Sequence, residues 1–187
     1  LVGRLSVKDL EDAKNQVDRI IYYERDIDET ATWLSRGIGI SAYEGGGHFG
    51  EREYEHIDFI RDTLLNYTYT EISHRYDGVE SYKISATDIA EDINKGLGIV
   101  TYCDHGEELK WVLANFDTQC VHNLTNDNML PFIWTVSCLN GHFDLDECFA
   151  ESWMRAKNPA TGAPVGAIGG MFSWISQPWV PPLYGQD

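Results

Sequence analysis

The sequence has few basic residues: 14 Lys and Arg stand against 30 Asp and Glu, which gives a formal net charge of −16. Because a nucleic-acid backbone is bound by clustered Lys and Arg, this balance argues against a nucleic-acid-binding protein. It favours cationic substrates or metal ions through long-range attraction, although acidity that only maintains solubility is the plainer interpretation. No stretch has the roughly 20 apolar residues of a membrane-spanning helix, so we expect no membrane span.

The chain also lacks a basic, apolar leader at Leu1, so an exported protein would have lost its leader and would not start natively at that residue. Cysteines are few, and Cys103, Cys120, Cys138 and Cys148 form no C-x-x-C pair, which disfavours a zinc ribbon. Four cysteines in 187 residues are too sparse for a disulfide-stapled scaffold, although they leave room for one disulfide.

The pattern of apolar residues predicts strands that alternate with helices. Helices are predicted from Ser6, with Asp9 as its capping partner, and around 54–64, 85–94 and 146–157. Strands are predicted at 37–42, 69–75, 97–103, 130–137 and 165–172. This alternation predicts an α/β fold with a mostly parallel sheet covered on both faces, formed by a single domain over 1–187.

Three of the predicted strands end next to residues with catalytic chemistry. Glu44 follows the first strand, His105 follows 97–103, and Cys138 follows 130–137. Sites in parallel α/β sheets form beyond the carboxyl ends of the strands, so these side chains are expected at one edge. The convergence of three strand ends predicts a functional site there.

These residue types suit a cysteine peptidase, which needs a thiolate, a histidine within its reach and donors for an oxyanion. The amides of Gly106 and Cys138 are candidate oxyanion donors, and Glu44 is a candidate orienting partner for the imidazole of His105. Each residue also has a plainer interpretation: a buried thiol, a loop histidine and a solvated carboxylate. The order of histidine before cysteine at strand ends is caspase-like, although 33 residues separate the two, against roughly 50 in caspases.

A polar cluster of His142, Asp144, Asp146 and Glu147 follows the candidate nucleophile. Hard carboxylates suit calcium, but the spacing matches no EF-hand loop. The favoured interpretation is that these residues cap the helix that follows, where acidic side chains favour the N-terminus. A zinc site built on His105 and Cys138 would need further ligands that the sequence does not specify.

Several motifs, in order, resemble the gingipains, and most closely their Arg-specific branch. The segments Leu-Pro-Phe-Ile at 130–133 and Val-Ser-Cys-Leu-Asn-Gly-His-Phe at 136–143 are similar to the catalytic strand of that family. Cys-Phe-Ala-Glu at 148–151 resembles the helix that follows, and His105-Gly106 with Trp111 resembles the histidine loop. The resemblance covers essentially the whole chain and implies a caspase-like three-layer sandwich.

This resemblance also implies roles for individual residues. Cys138 would be the nucleophile, His105 the general acid/base and Glu44 the partner of the histidine. A specificity pocket for a basic side chain would have a carboxylate floor and an aromatic wall, which bind a cation by ion pairing and cation–π contact. The implied pocket residues are Glu53 at the floor, Trp179 at the wall, Gln177 and Leu183. Glu53 stands where the Arg-specific branch would have Asp, which leaves the preference between Arg and Lys open.

The resemblance implies a secreted or cell-surface cysteine endopeptidase that cleaves peptides or proteins after Arg or Lys. No cofactor is required for this chemistry, and structural calcium stays open. The chain is expected to lack an N-terminal subdomain and a C-terminal segment of the core, so further segments of a larger precursor are expected partners. Two alternatives remain: a sortase-like transpeptidase, in which an amine replaces water, and a non-enzymatic relative that binds peptide in the cleft.

Overall fold

A five-stranded parallel sheet forms the centre of the structure, a computed structural model that describes residues 3–186. The strands along the chain are β1 (Arg36–Ala42), β2 (Glu71–Asp77), β3 (Ile99–Cys103), β4 (Gly106–Glu107), β5 (Lys110–Trp111), β6 (Phe116–Asp117), β7 (Phe132–Val136) and β8 (Gly169–Met171). The central sheet has the order β2-β1-β3-β7-β8, and β4, β5 and β6 form a small antiparallel sheet. The predicted α/β fold with a mostly parallel sheet is confirmed.

Helices cover both faces of the central sheet and give three layers. They are α1 (Leu10–Ile21), α2 (Glu53–Tyr67), α3 (Ala86–Asn94), α4 (Thr118–His122), α5 (Phe149–Arg155) and α6 (Val180–Gln186). On one face, α2 and α6 pack over a core that contains Ile57 and Leu183. On the other face, α3, α4 and α5 supply Ile89, Val121 and Trp153 to a larger core. No helix among residues 3–186 is long and apolar enough to cross a membrane.

Glycine in β1 lets α2 approach the sheet closely. Ile38 and Ile40 point into the larger core, while Gly39 faces the opposite side. A Cβ atom at Gly39 would lie 2.2 Å from Cγ2 of Ile57, so any larger residue would push α2 away. This close packing fixes the start of α2, and Glu53 with it, next to the end of β1.

The first helix starts later than predicted. Asp9 is its N-cap and accepts a hydrogen bond of 2.9 Å from the amide of Asp12, so the helix begins at Leu10. Ser6, predicted as the cap, is buried and donates to the carboxylate of Glu151. A tertiary contact with α5 therefore takes the hydroxyl that the local pattern assigned to capping.

The buried face of α1 is polar, against the predicted apolar spacing. Leu10 is 85% exposed and Val17 is also exposed, whereas Asn15, Gln16 and Arg19 are buried. The guanidinium of Arg19 is satisfied by main-chain carbonyls of Trp153, Ala156 and Ala167. Burial lowers the pKa of Arg19 to about 9.

The helix α5 is shorter than predicted, and the polar cluster before it is not its cap. Cys148 is the N-cap residue, and its amide donates to Glu151 at 3.0 Å. Glu147 instead pairs with Nε2 of His122 at 2.6 Å, and Nε2 of His142 lies 3.6 Å from the carboxylate of Asp144. The capping hypothesis for this cluster is therefore wrong, and Asp146 does not start the helix. Structural calcium stays a prediction.

Candidate active site

The register of the central sheet brings two of the predicted residues to equivalent places on neighbouring strands. Cys103 of β3 pairs with Val136 of β7. His105 and Cys138 each follow that pair by two residues, and adjacent strands lie about 4.8 Å apart. Strand β1 runs along the other side of β3, and Glu44 follows its end by two residues. All three side chains therefore lie at the carboxyl edge of the sheet, as predicted.

The thiol of Cys138 opens on a cavity of about 100 Å³ that it shares with His105. The amide of Gln177 donates to Sγ of Cys138 at 3.4 Å, and Sγ lies 3.7 Å from the carbonyl oxygen of the same residue. The side-chain amide of Gln177 donates to the carbonyl of Ser137 at 3.0 Å, which holds this segment against the turn. The cavity is lined by Asp104, His105, Val136, Ser137, Cys138, Gln177, Pro178 and Trp179.

The imidazole of His105 is half exposed between a carboxylate and an aromatic ring. Its Nε2 lies 3.8 Å from Oε2 of Glu44, a distance for an ion pair rather than a direct hydrogen bond. The ring of Trp179 stands edge-on to the imidazole, with centroids 5.2 Å apart. The hydroxyl of Tyr102 donates to the carbonyl of His105 at 2.8 Å and fixes its main chain. Because both side chains are more than half exposed, solvent weakens the attraction between them.

The turn that carries Cys138 is strained and held from outside. Leu139 has a positive φ of 60°, which is rare for a bulky residue. Its amide donates to the carbonyl of Ile175 at 3.2 Å, and the amide of Gly141 donates to the carbonyl of Ser173 at 2.8 Å. The segment after β8 therefore holds the turn in a conformation that directs Cys138 into the cavity.

Asn140 joins the cysteine turn to the hairpin that carries the histidine. Its fully buried side chain donates to the carbonyls of Glu107 and Lys110 at 2.6 and 2.9 Å, and it accepts from the hydroxyl of Ser137. Each of these polar groups would be costly to bury without its partner, by about 1–3 kcal/mol. The side chain thus fixes the two halves of the candidate site relative to each other.

Gly106 lies against the cysteine turn, where no side chain fits. A Cβ atom there would stand 2.6 Å from the carbonyl oxygen of Cys138 and 2.8 Å from Cβ of Ser137. Glycine is therefore required after the histidine because the two backbones approach each other closely here.

A second pocket next to the cavity contains three of the four predicted specificity residues, whereas Gln177 lines the cavity of Cys138. Glu53 is the first residue of α2 and is only 4% exposed. Neither carboxyl oxygen has a hydrogen bond of good geometry among the described residues, and the polar groups nearest to them are the backbone of Ala42 and the carboxyl of Asp104. Trp179 and Leu183 line this pocket, which is too narrow to hold a water molecule, together with Gly46, Gly47, Arg52 and His56. Burial, followed by the charges of Asp104 and Glu44, raises the pKa of Glu53 to about 8.

Comparison with known proteins identifies the family. The family model described as peptidase family C25 matches residues 1–178. The chain belongs to peptidase family C25. The resemblance inferred from the motifs at 130–151 is therefore confirmed. The greater similarity to the Arg-specific branch of the family is confirmed as well, because the relatives described below are gingipains R.

Three relatives place this C25 chain more closely. It is 39% identical to Gingipain R2 of Porphyromonas gingivalis (strain ATCC 33277) over 100% of its own length and 25% of that protein. A crystal structure of the Arg-specific cysteine proteinase gingipain R superimposes with a TM-score of 0.92 at 40% identity, covering 99% of this chain and 42% of that one. A complex of the RgpB pro- and mature domains from Porphyromonas gingivalis superimposes with a TM-score of 0.92 at 39% identity. This match covers 99% of this chain and 43% of that one. The chain spans about a quarter of the curated relative.

The remaining cysteines of this C25 chain are free thiols in unreactive surroundings. Cys103 and Cys148 are buried, as predicted for core residues, and Cys120 is partly buried on α4. Burial raises the pKa of all three thiols, for Cys148 to about 11, so they stay protonated near neutral pH. The one disulfide for which the sequence left room is absent among the described residues.

Sequence reasoning missed two residues of the site, Asp104 and Asn140. Asp104 lies between β3 and His105, is 4% exposed, and accepts a hydrogen bond from the amide of His105. Burial raises the pKa of its carboxyl to about 6. The signal for Asp104 was its place at the strand end, directly before the histidine. Nothing local distinguished Asn140 from a turn residue.

The raised pKa of Glu53 predicts a stability that falls as pH rises. The folded chain keeps a proton on Glu53 between pH 4.5 and about 8, which the unfolded chain releases. The stability linked to this proton is complete below pH 4.5 and is lost as pH rises through about 8. Glu53→Gln is neutral throughout, so we expect it to melt higher than the wild type near pH 9 and equally near pH 5, measured by circular dichroism.

Other groups face Glu53, and they define the control for this prediction. Asp104 and Glu44 oppose it from the ends of β3 and β1, while Arg52 and His56 line its pocket from α2. The proton on Asp104 also makes stability fall as pH rises, but over a lower pH range, because the pKa of Asp104 is about 6. The difference between wild type and variant above pH 6 therefore reports on Glu53. The prediction would be contradicted if the melting temperatures of the two proteins differed by the same amount at every pH from 6 to 9.

Proposed function

We propose that this C25 chain is the catalytic core of a secreted cysteine endopeptidase that cleaves after a basic residue, with arginine preferred. The observation that carries the proposal is the cavity shared by Cys138 and His105, which lies next to the pocket that contains the buried carboxyl group of Glu53. A thiol and an imidazole in one cavity supply nucleophile and proton carrier. A buried carboxyl group either keeps its proton, as Glu53 does near neutral pH, or ionises beside a cation.

The proposed reaction passes through an acyl-enzyme on Cys138. His105 takes the proton of the Cys138 thiol, and the resulting thiolate attacks the carbonyl carbon of the scissile bond. The amides of Gly106 and Cys138 hold the oxyanion that forms. His105 then gives its proton to the leaving amine, which departs and leaves a thioester. Water attacks this thioester while His105 takes the proton, and the product carboxylate leaves with the thiol restored.

Glu44 is proposed to orient His105 rather than to exchange protons. Its carboxylate lies 3.8 Å from Nε2 of the imidazole and favours the imidazolium that forms during the reaction. Both side chains are largely exposed in the free structure. Contacts of this kind often tighten once substrate excludes water from the site.

The specificity pocket is proposed to accept the side chain that precedes the scissile bond. Glu53 would neutralise the cation, and Trp179 and Leu183 would contact its aliphatic part. Gln177 is proposed to fix the pocket wall through its bonds to Ser137 and Cys138. The relative whose structure is described as Arg-specific supports arginine as the preferred residue.

Export and processing are proposed from the same relationship. The chain spans about a quarter of Gingipain R2, and one similar structure is a complex of pro- and mature domains. Other segments of a larger precursor are therefore proposed as partners of this core, and peptides or proteins as its substrates. No cofactor is proposed for the chemistry itself.

Labelling with peptide chloromethylketones tests the nucleophile and the pocket together. We expect a reagent with a terminal arginine to alkylate Cys138 with loss of chloride, and one with a terminal leucine to react at least about 100-fold more slowly. Mass spectrometry of the digested protein gives the modified residue. Labelling of Cys120 instead of Cys138, or faster reaction with leucine, would contradict the proposal.

A further inference from the structure

Two buried carboxylates, not one, stand at the proposed specificity pocket. Asp104 and Glu53 are each 4% exposed, and neither forms an ion pair with a Lys or Arg of the described residues. Neither oxygen of Glu53 accepts a hydrogen bond of good geometry from the described residues, and Glu53 lines the pocket together with Trp179. The carboxyl of Asp104 lies next to that of Glu53, and two adjacent buried acids repel each other unless a proton or a cation neutralises one of them. A bound cation that contacts both can therefore take the place of the proton.

The two carboxylates lie along one route from the nucleophile. Asp104 lines the cavity of Cys138, Glu53 lines the adjoining pocket, and Trp179 lines both. A side chain that enters from Cys138 therefore passes Asp104 first and reaches Glu53 beyond the indole. The pocket at Glu53 is too narrow for water, so its walls have to separate as the side chain enters.

We propose that Asp104 is a second specificity-determining carboxylate, which with Glu53 holds a guanidinium between two acids and so selects arginine over lysine. A guanidinium is planar and has five N–H donors, so it donates to two carboxylates at once. A lysine ammonium is a compact charge with three donors and serves two separated acids less well. The inference rests on the proposed function, since it assigns a further residue to the same pocket.

One oxygen of Asp104 already has a structural task, and this decides the choice of variant. Oδ1 accepts from the amide of His105. Asp104→Asn keeps an oxygen acceptor for that amide and removes only the negative charge. Asp104→Ser is a second variant that also offers an acceptor, in case the first variant fails to fold. Asp62→Asn on α2 is the matched control, because its side chain is 68% exposed and removes one charge away from the site.

The test compares peptides that differ only in the residue before the scissile bond: arginine, lysine or citrulline, the neutral isostere of arginine. We expect Asp104→Asn to lower kcat/KM for the arginine peptide by about 10- to 100-fold, the effect of one hydrogen bond to a charged group. The citrulline peptide should change by less than about 3-fold, and the preference for arginine over lysine should fall by about tenfold. Asp62→Asn should leave all three rates unchanged.

The outcomes separate this inference from the proposed function. An equal loss for arginine and citrulline would mean that Asp104 acts only through His105, and would overturn the inference. An unchanged ratio of arginine to lysine would overturn it as well. If the wild type itself cleaves after neither arginine nor lysine, the proposed function fails. If both variants unfold, the wild type is tested with two inhibitors: agmatine, which carries a guanidinium, and cadaverine, which carries only ammonium groups. We expect agmatine to inhibit at least about tenfold better, and equal inhibition would overturn the inference that Asp104 and Glu53 together hold a guanidinium.

Discussion

Replacing Cys138 with Ala is expected to lower kcat/KM for an arginine peptide by at least about 10⁴-fold, the largest effect of any single change in this protein. Without the thiol no acyl-enzyme forms, and the remaining groups of the site only bind and polarise the substrate. Turnover is measured with a fluorogenic peptide, and product mass in the presence of an added amine separates hydrolysis from transpeptidation.

The fold of the Cys138→Ala variant should be unchanged. Within residues 3–186 the hydrogen bonds of Sγ involve the main chain of Gln177, and the conformation of the turn is fixed by the amides of Leu139 and Gly141. Cys120→Ala, which removes a partly buried thiol on α4, is the matched control and should keep full activity. Activity of Cys138→Ala near that of this control would refute the proposed nucleophile and would favour a peptide-binding role.

Replacing Glu53 with Gln is expected to lower kcat/KM for the arginine peptide by about 10²- to 10³-fold. Removing one partner of a buried ion pair leaves the other charge uncompensated, which costs about 3–5 kcal/mol. Gln has the same shape, so the pocket keeps its volume and the citrulline peptide should be cleaved almost as well as before. The ratio of the two kcat/KM values is the measurement, because it cancels any common effect on the catalytic residues.

The charge state of Glu53 adds a pH dependence to this prediction. Because its pKa is about 8 in the free structure, binding of a cationic side chain has to displace a proton at neutral pH. For the wild type, the ratio of kcat/KM for the arginine peptide to kcat/KM for the citrulline peptide should therefore rise from pH 6 to pH 8. For Glu53→Gln this ratio should not change with pH. Glu91→Gln on α3, an exposed carboxylate, is the control. A flat ratio for the wild type would show that Glu53 is not the pocket acid.

Local sequence patterns predicted the scaffold because helix caps are local interactions and because the spacing of apolar residues decides which faces of helices and strands are buried. A helix was predicted at 85–94, and in the structure α3 begins there with a reciprocal cap between Ser85 and Asp88. The apolar runs at 97–103 and 130–137 predicted strands buried on both faces, and the cores confirm it. The ends of the helices were predicted less accurately, as at α5, because a helix end depends on which side chains are free to cap it.

The small antiparallel sheet and α6 were not predicted from the sequence. Strands β4, β5 and β6 have two residues each, too few for a period-two pattern to be recognised. Helix α6 begins at Val180 and contains Pro181 and Pro182, which usually argue against a helix, although proline is tolerated in the first turn. Gln186 anchors it by donating to the carbonyls of Tyr102 and Trp134, contacts over more than 50 residues of chain.

The sequence by itself determined the α/β fold, the family and the place of Cys138, His105 and Glu44 at one edge, since parallel strands bring their carboxyl ends together. Tertiary structure alone decided the polar buried face of α1, where Arg19 binds carbonyls more than 130 residues away. It also decided that Asp104 faces Glu53. Residues separated by 51 positions carry no mutual signal in local periodicity, and only the packing of α2 against β1 and β3 brings their carboxylates together.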